Sequence, residues 1–201
     1  MEKIMVWDWP QRAGHWLLAL AVAVAWATSE RDSLQLIHIA AGGAAGGIAA
    51  FRLFWGLAGS RHARFTSFLR PPAAVFRYLH SLLSPHPEHH TGHNPAGGWA
   101  VVALLLLVLG SMLSGWAHHH ELGGHWLEEL HEMLAESLLA LVGLHVIAVI
   151  ASSLRHQENL LGAMLHGQKR GRSVEAIAST RPWALLLLLA CALAAAAWAL
   201  S

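Results

Sequence analysis

The segment HEMLAESLLALVGLH opens and closes on histidine, His131 and His145. Its first five residues stop one substitution short of a zinc-protease helix, which needs a second histidine four positions along. Ala135 stands there instead. The second histidine comes fourteen residues after the first. On an α-helix that is nearly four whole turns and a rise of about 21 Å, so the two share one face at two depths. Two further histidines, His15 and His38, also sit among apolar residues. Imidazoles in such surroundings can ligate a metal, relay protons, or hydrogen-bond a neighbouring helix.

The elements that carry these histidines are apolar runs. Of the 201 residues 55% are hydrophobic and only 12% charged, against about 25% charged in a soluble domain. A membrane-spanning helix needs roughly 20 apolar residues, and five runs qualify: residues 10–28, 34–57, 97–117, 130–154 and 182–200. They are too long and too rich in Ala and Leu for strands. Ten tryptophans suit the two membrane–water interfaces. The single cysteine, Cys191, excludes an internal disulfide or a thiolate zinc cage. A net charge of +1 gives no reason to expect nucleic acid, and the chain has no phosphate-loop or dinucleotide fingerprint.

Linker charge sets the direction of the runs. Arg61, Arg64, Arg70 and Arg77 separate the second from the third, and Arg155, Lys169, Arg170, Arg172 and Arg181 follow the fourth. The linkers between runs one and two and between runs three and four are nearly free of Lys and Arg. The positive-inside rule then predicts a multi-pass protein of the inner membrane, with a cytoplasmic N-terminus and a periplasmic C-terminus. The basic front, apolar run and Ala25-Trp26-Ala27 also fit a cleavable secretory leader, the less favoured reading.

In that topology His15 and His145 lie toward the cytoplasm, and His38 and His131 toward the periplasm. Two pairs result, one per leaflet. Two ligands are too few for a closed zinc site, but two axial imidazoles are what a six-coordinate haem iron needs, and helical bundles build such sites. Gly14, Gly42, Gly43, Gly46, Gly47 and Gly143 lie near the histidines and leave room for a porphyrin face, or serve close helix packing. Arg52, fourteen residues after His38, shares its face at the cytoplasmic depth. A haem propionate is one anionic partner for it; reaching out to the interface is the other reading.

RAGHWLLAL, IHIAAGG…FR and LHEMLAESLLALVGLH together resemble the bacterial cytochrome b561 family, whose superfamily includes the cytochrome b subunits of nickel–iron hydrogenases. The resemblance covers about residues 5–165. It implies an all-α integral membrane bundle, with a four-helix haem-binding core over 1–165 and a basic linker and fifth transmembrane helix over 166–201. It further implies two non-covalent haem b groups, one held by His15 and His145, the other by His38 and His131, with Arg52 beside the first. Electrons would pass between quinone or quinol and a periplasmic c-type cytochrome or enzyme subunit. The fifth run exceeds the four-helix pattern and is a candidate contact for another subunit.

The remaining histidines read differently. SPHPEHHTGHNP, with His86, His89, His90 and His93, has prolines and no periodicity and reads as a solvated linker. His118, His119, His120 and His125 lie in the periplasmic loop, where they suit a proton exit near a quinone or a cover for the haem edge ahead of metal binding. ENLLGAMLHGQKRGR reads as a surface helix on anionic lipid. The rival functions are a metal or proton transporter built on the same histidines, and a membrane anchor subunit without haem.

Overall fold

Local capping chemistry starts the first and third long helices. Asp8 precedes Trp9-Pro10, and its Oδ1 accepts the Gln11 amide at 2.8 Å. Asn94 precedes Pro95, and its Oδ1 accepts the Gly97 amide at 2.7 Å. A capping side chain followed by proline satisfies free amides and presets the first turn. The structure, a computed structural model, describes residues 2–201. In chain order the elements are β1 Glu2–Met5, α1 Trp9–Thr28, α2 Gln35–Ala58, α3 Phe65–Phe68, α4 Pro72–Ser81, α5 Pro95–His119, α6 Trp126–His156, α7 Leu160–His166, β2 Gln168–Gly171 and α8 Ala184–Ala199.

Three helical segments are long and apolar enough to cross a membrane: Asp32–Ala58, Pro95–His119 and Trp126–His156. The first of these includes a short 3-10 turn ahead of α2. The apolar helix α8 is shorter, at 16 residues, and α1 has 20. Helix α6 outruns its apolar stretch at both ends. Glu128 and Glu129 in its first turn and Arg155 and His156 in its last oppose the helix dipole.

Helix α2 lies at the centre, against α1, α5 and α8, and α6 runs along α5. The glycines of GGAAGG divide between neighbours. A Cβ at Gly43 would come within 2.7 Å of the Ala199 Cβ, and one at Gly47 within 2.7 Å of the Ala195 Cβ, so both serve the close approach of α8. Gly46 serves Met112 on α5. For these three, helix packing is the reason for glycine.

The all-α expectation needs one correction. β1 and β2 form an antiparallel ribbon, with Glu2 opposite Gly171 and Met5 opposite Gln168. The stretch read as one surface helix is therefore the short α7 followed by a strand. Physically, α7 ends at Gly167, which takes a left-handed φ of 81°, and its carbonyl accepts the Val6 amide at 2.8 Å and the Trp7 amide at 3.0 Å. That turn hands the basic segment to the N-terminal strand.

Replacing Gly47 with alanine should lower the thermal midpoint of the detergent-solubilised protein, followed by far-UV circular dichroism, with an overpacking cost of about 1–3 kcal/mol. An unchanged midpoint would show that α8 does not sit closely on α2.

Candidate haem centres

The four intramembrane histidines come from three helices. His15 lies in the first half of α1, His38 in the first turns of α2, and His131 and His145 on α6. The structure brings His15 and His145 together, with ring centroids 6.3 Å apart and planes at 56°. It brings His38 and His131 together at 6.1 Å and 81°. Two imidazoles bound end-on to opposite sides of one metal ion, each through a bond of about 2 Å, place their centroids roughly 6 Å apart. Direct imidazole–imidazole stacking would be closer.

Between the two pairs, α6 presents Leu138, seven residues from each of its histidines and so on the same face. Leu138 is buried in an apolar cluster with Ala45 and Ala49 of α2 and Leu105 and Val108 of α5. Leu18, Ala21 and Val22 of α1 border it. The two histidine pairs are thus separate sites divided by a hydrocarbon layer.

The second nitrogens distinguish the sites. Nδ1 of His38 lies 2.8 Å from the Ala25 carbonyl, and Nδ1 of His131 lies 2.8 Å from the Ser111 carbonyl. A carbonyl only accepts, so both Nδ1 atoms donate a proton and both Nε2 atoms keep a lone pair. Metal-ligating histidines are held this way, by a donor bond from the other ring nitrogen. Gly115 makes the arrangement possible, because a Cβ there would fall 2.7 Å from the His131 Nδ1. Among the described residues His15 and His145 make no comparable bond.

The room beside the ligands also fits a flat macrocycle on one helix. Gly42 follows His38 by one turn, and a Cβ there would meet nothing within 4 Å. Gly143 is equally open, but it lies two residues before His145, nearly on the opposite side of α6. Arg52 reaches the α1 side of the His15–His145 site. Its Nη1 donates to the Gln11 carbonyl at 2.9 Å, and its Cδ is 3.4 Å from where a Gly14 Cβ would be.

The prokaryotic cytochrome b561 family matches residues 6–167. The chain belongs to that family. This makes it a membrane protein of helical-bundle type, and the family's character is electron transfer through haem b. A curated relative from Rhodobacter capsulatus, named "Probable Ni/Fe-hydrogenase B-type cytochrome subunit", is 23% identical over 216 residues, covering 83% of this chain and 81% of its own. No solved structure matches.

Sequence reasoning missed how part of the SPHPEHHTGHNP loop sits in the fold. His86 and His89 are exposed, as a solvated linker would have them, but the His90–His93 end is packed. The His93 ring lies 4.8 Å from Trp7 and 4.7 Å from Phe68, centroid to centroid. The backbone carbonyl of His90 accepts from Lys169 Nζ at 3.1 Å. Lys169 also pairs at 3.4 Å with Glu158, which in turn faces His89 at 3.6 Å. Burial works against the Glu158 charge, but His89, Lys169 and the Arg170 amide hold its carboxyl down at about 2. Among the described residues no three His, Cys, Asp or Glu side chains gather as a metal cage.

Proposed function

We propose that the chain is a di-haem cytochrome b of the bacterial inner membrane that carries electrons between the quinone pool and a periplasmic redox partner. The paired ring spacings of 6.3 and 6.1 Å, at two depths on one helix, carry this reading. Residues 1–165 form the haem-binding domain, with α1, α2, α5 and α6 as its four-helix core. Residues 166–201 add the basic linker and α8 as a fifth transmembrane helix. His15 and His145 ligate one iron, and His38 and His131 the other. Arg52 neutralises a propionate of the first. Bound haem supplies the one-electron chemistry; the helices supply ligation, burial and spacing. The name of the Rhodobacter relative supports an enzyme subunit as the periplasmic partner, in the role otherwise taken by a c-type cytochrome. The exposed outer side of α8, with Leu186 and Leu193, faces lipid or a neighbouring subunit.

The N-terminus is cytoplasmic and the C-terminus periplasmic. The ribbon, α3, α4, α7 and the His-rich loop then form a cap on the cytoplasmic side. Exposed positions Arg70 and Glu129 report this directly. With Cys191→Ser as background, Glu129→Cys in intact cells should react with a membrane-impermeant thiol reagent and Arg70→Cys should not. The reverse pattern would invert the topology.

The two sites should differ in potential. A donor bond from Nδ1 raises the basicity of a ligating histidine, which favours ferric iron. Both histidines of the periplasmic-side pair make such bonds, whereas the other pair has the Arg52 cation close by. The cytoplasmic-side centre is therefore the higher in potential. Redox titration should resolve two components: His145→Ala and His15→Ala should each remove the higher one, and His38→Ala and His131→Ala the lower. Loss of the lower component in His145→Ala would refute the order. Loss of different components in His15→Ala and His145→Ala would refute the pairing.

A further inference from the structure

Buried polar atoms without partners collect at the cytoplasmic end of the His15–His145 site. Gln11 is 2% exposed, and its side-chain Nε2 has no hydrogen-bond partner. It lies one turn before His15, on the same face of α1. His93 Nδ1 is likewise buried and unpartnered. Burial, reinforced by Arg52 and Lys169, pushes the His93 imidazole down to about 3, so the ring is neutral and has one N–H to donate. The Arg52 guanidinium has five donors and spends one of them on the Gln11 carbonyl.

Nearby acids do not answer these donors. Asp8 is fully buried and its charge acts on Arg52, but it lies beyond salt-bridge distance, its Oδ1 accepting from the Gln11 amide and its Oδ2 from Trp55 Nε1 at 2.9 Å. Glu158 is committed to Lys169 and His89. Among the described residues no carboxylate lies within salt-bridge distance of Arg52. A buried polar atom left unsatisfied costs about 1–3 kcal/mol, so the unpartnered atoms of Gln11 and His93 imply a missing partner near the Arg52 cation. A cation and neutral donors with no directly paired acid favour an anion.

We infer that Gln11 and His93 join Arg52 in a carboxylate-binding pocket, and that its occupant is a propionate of the cytoplasmic-side haem. The inference rests on the di-haem reading above and adds two residues to it. It also accounts for the order at the GHNP end of the loop. Trp7 and Phe68 clamp the His93 ring, while Asn94 and Pro95 start α5. The loop thereby couples the cytoplasmic cap to the haem edge. A propionate is the fitting carboxylate because it is tethered to the macrocycle that His15 and His145 would hold, so it arrives at a fixed place without a diffusing partner.

Hydrogen-bond donors around a propionate offset its negative charge at the iron and favour the reduced state, one of the protein's levers on haem potential. Removing a donor should lower the potential. In membranes containing the full chain, His93→Leu is expected to shift the higher-potential component downward and leave the lower one in place. His93→Asn, which keeps a donor, should recover at least half of that shift. Gln11→Leu should act in the same direction, and it serves if His93→Leu does not assemble. Unshifted potentials with both haems present would overturn the inference, as would equal shifts of both components or equal effects of His93→Leu and His93→Asn. A potential in the unsubstituted protein that moves with inorganic phosphate would assign the pocket to a soluble anion instead. Failure to find any haem in the unsubstituted protein would refute the di-haem reading itself, which is a different outcome.

Discussion

One separation governs the molecule: two imidazoles that share an ion must face each other across it. Helix α6 does not close directly onto α1 and α2 at the histidine levels, where its rings stand 6.3 and 6.1 Å from theirs, about the span of one ligated ion. It leans on α5 instead. At mid-depth, through Leu138 and Val142, it joins the shared apolar cluster. The heptad interval from His131 to Leu138 to His145 therefore places histidine, packing contact and histidine on one helix face. The same separation explains where the small residues of α2 are spent. Gly43 and Gly47 bring α8 in close, while Gly42, on the His38 side, stays open.

Holding that separation requires the helices to be fixed in depth as well as in distance. Asp8 does much of this at the His15 end. One carboxylate oxygen caps α1 and the other ties it to Trp55 near the end of α2. Because His15 and Arg52 each lie within two turns of those anchors, their relative depth is set by one buried side chain. The ribbon of β1 and β2 adds a second tie, joining the start of the chain to the segment after α7. At the other end the depth of His131 is fixed by α5, through the Ser111 carbonyl. The Trp116 and Trp198 rings, stacked at 4.4 Å, lock α5 to α8 there.

Much of this was legible in the sequence, and for a physical reason. Helical periodicity is strict enough that a fourteen-residue interval fixes face and depth without coordinates, which is why His131 and His145 could be sorted against His15 and His38. The ribbon was not legible, because Glu-Lys-Ile-Met and Gln-Lys-Arg-Gly are four-residue strands with no sustained alternation. The placement of His93 was not legible either: its loop has no period, and what orders it is distant in sequence, Trp7 and Phe68. The glycines were readable only as a group. Which of them faces α8 and which faces His131 depends on neighbours that no spacing rule names; Gly115, which does face it, lay outside the group chosen. The donor bonds to the Ala25 and Ser111 carbonyls were equally beyond reach, since every helical residue offers a carbonyl.

The central claim is that α6 holds two separate bis-histidine irons rather than one. The direct measurement is a pyridine haemochrome assay on purified chain of known concentration, with acid–acetone extraction of the pigment. The account predicts two haems per chain, both extracted as protohaem. A ratio of one would contradict the two-site geometry, and pigment that stays with the protein would contradict non-covalent haem b.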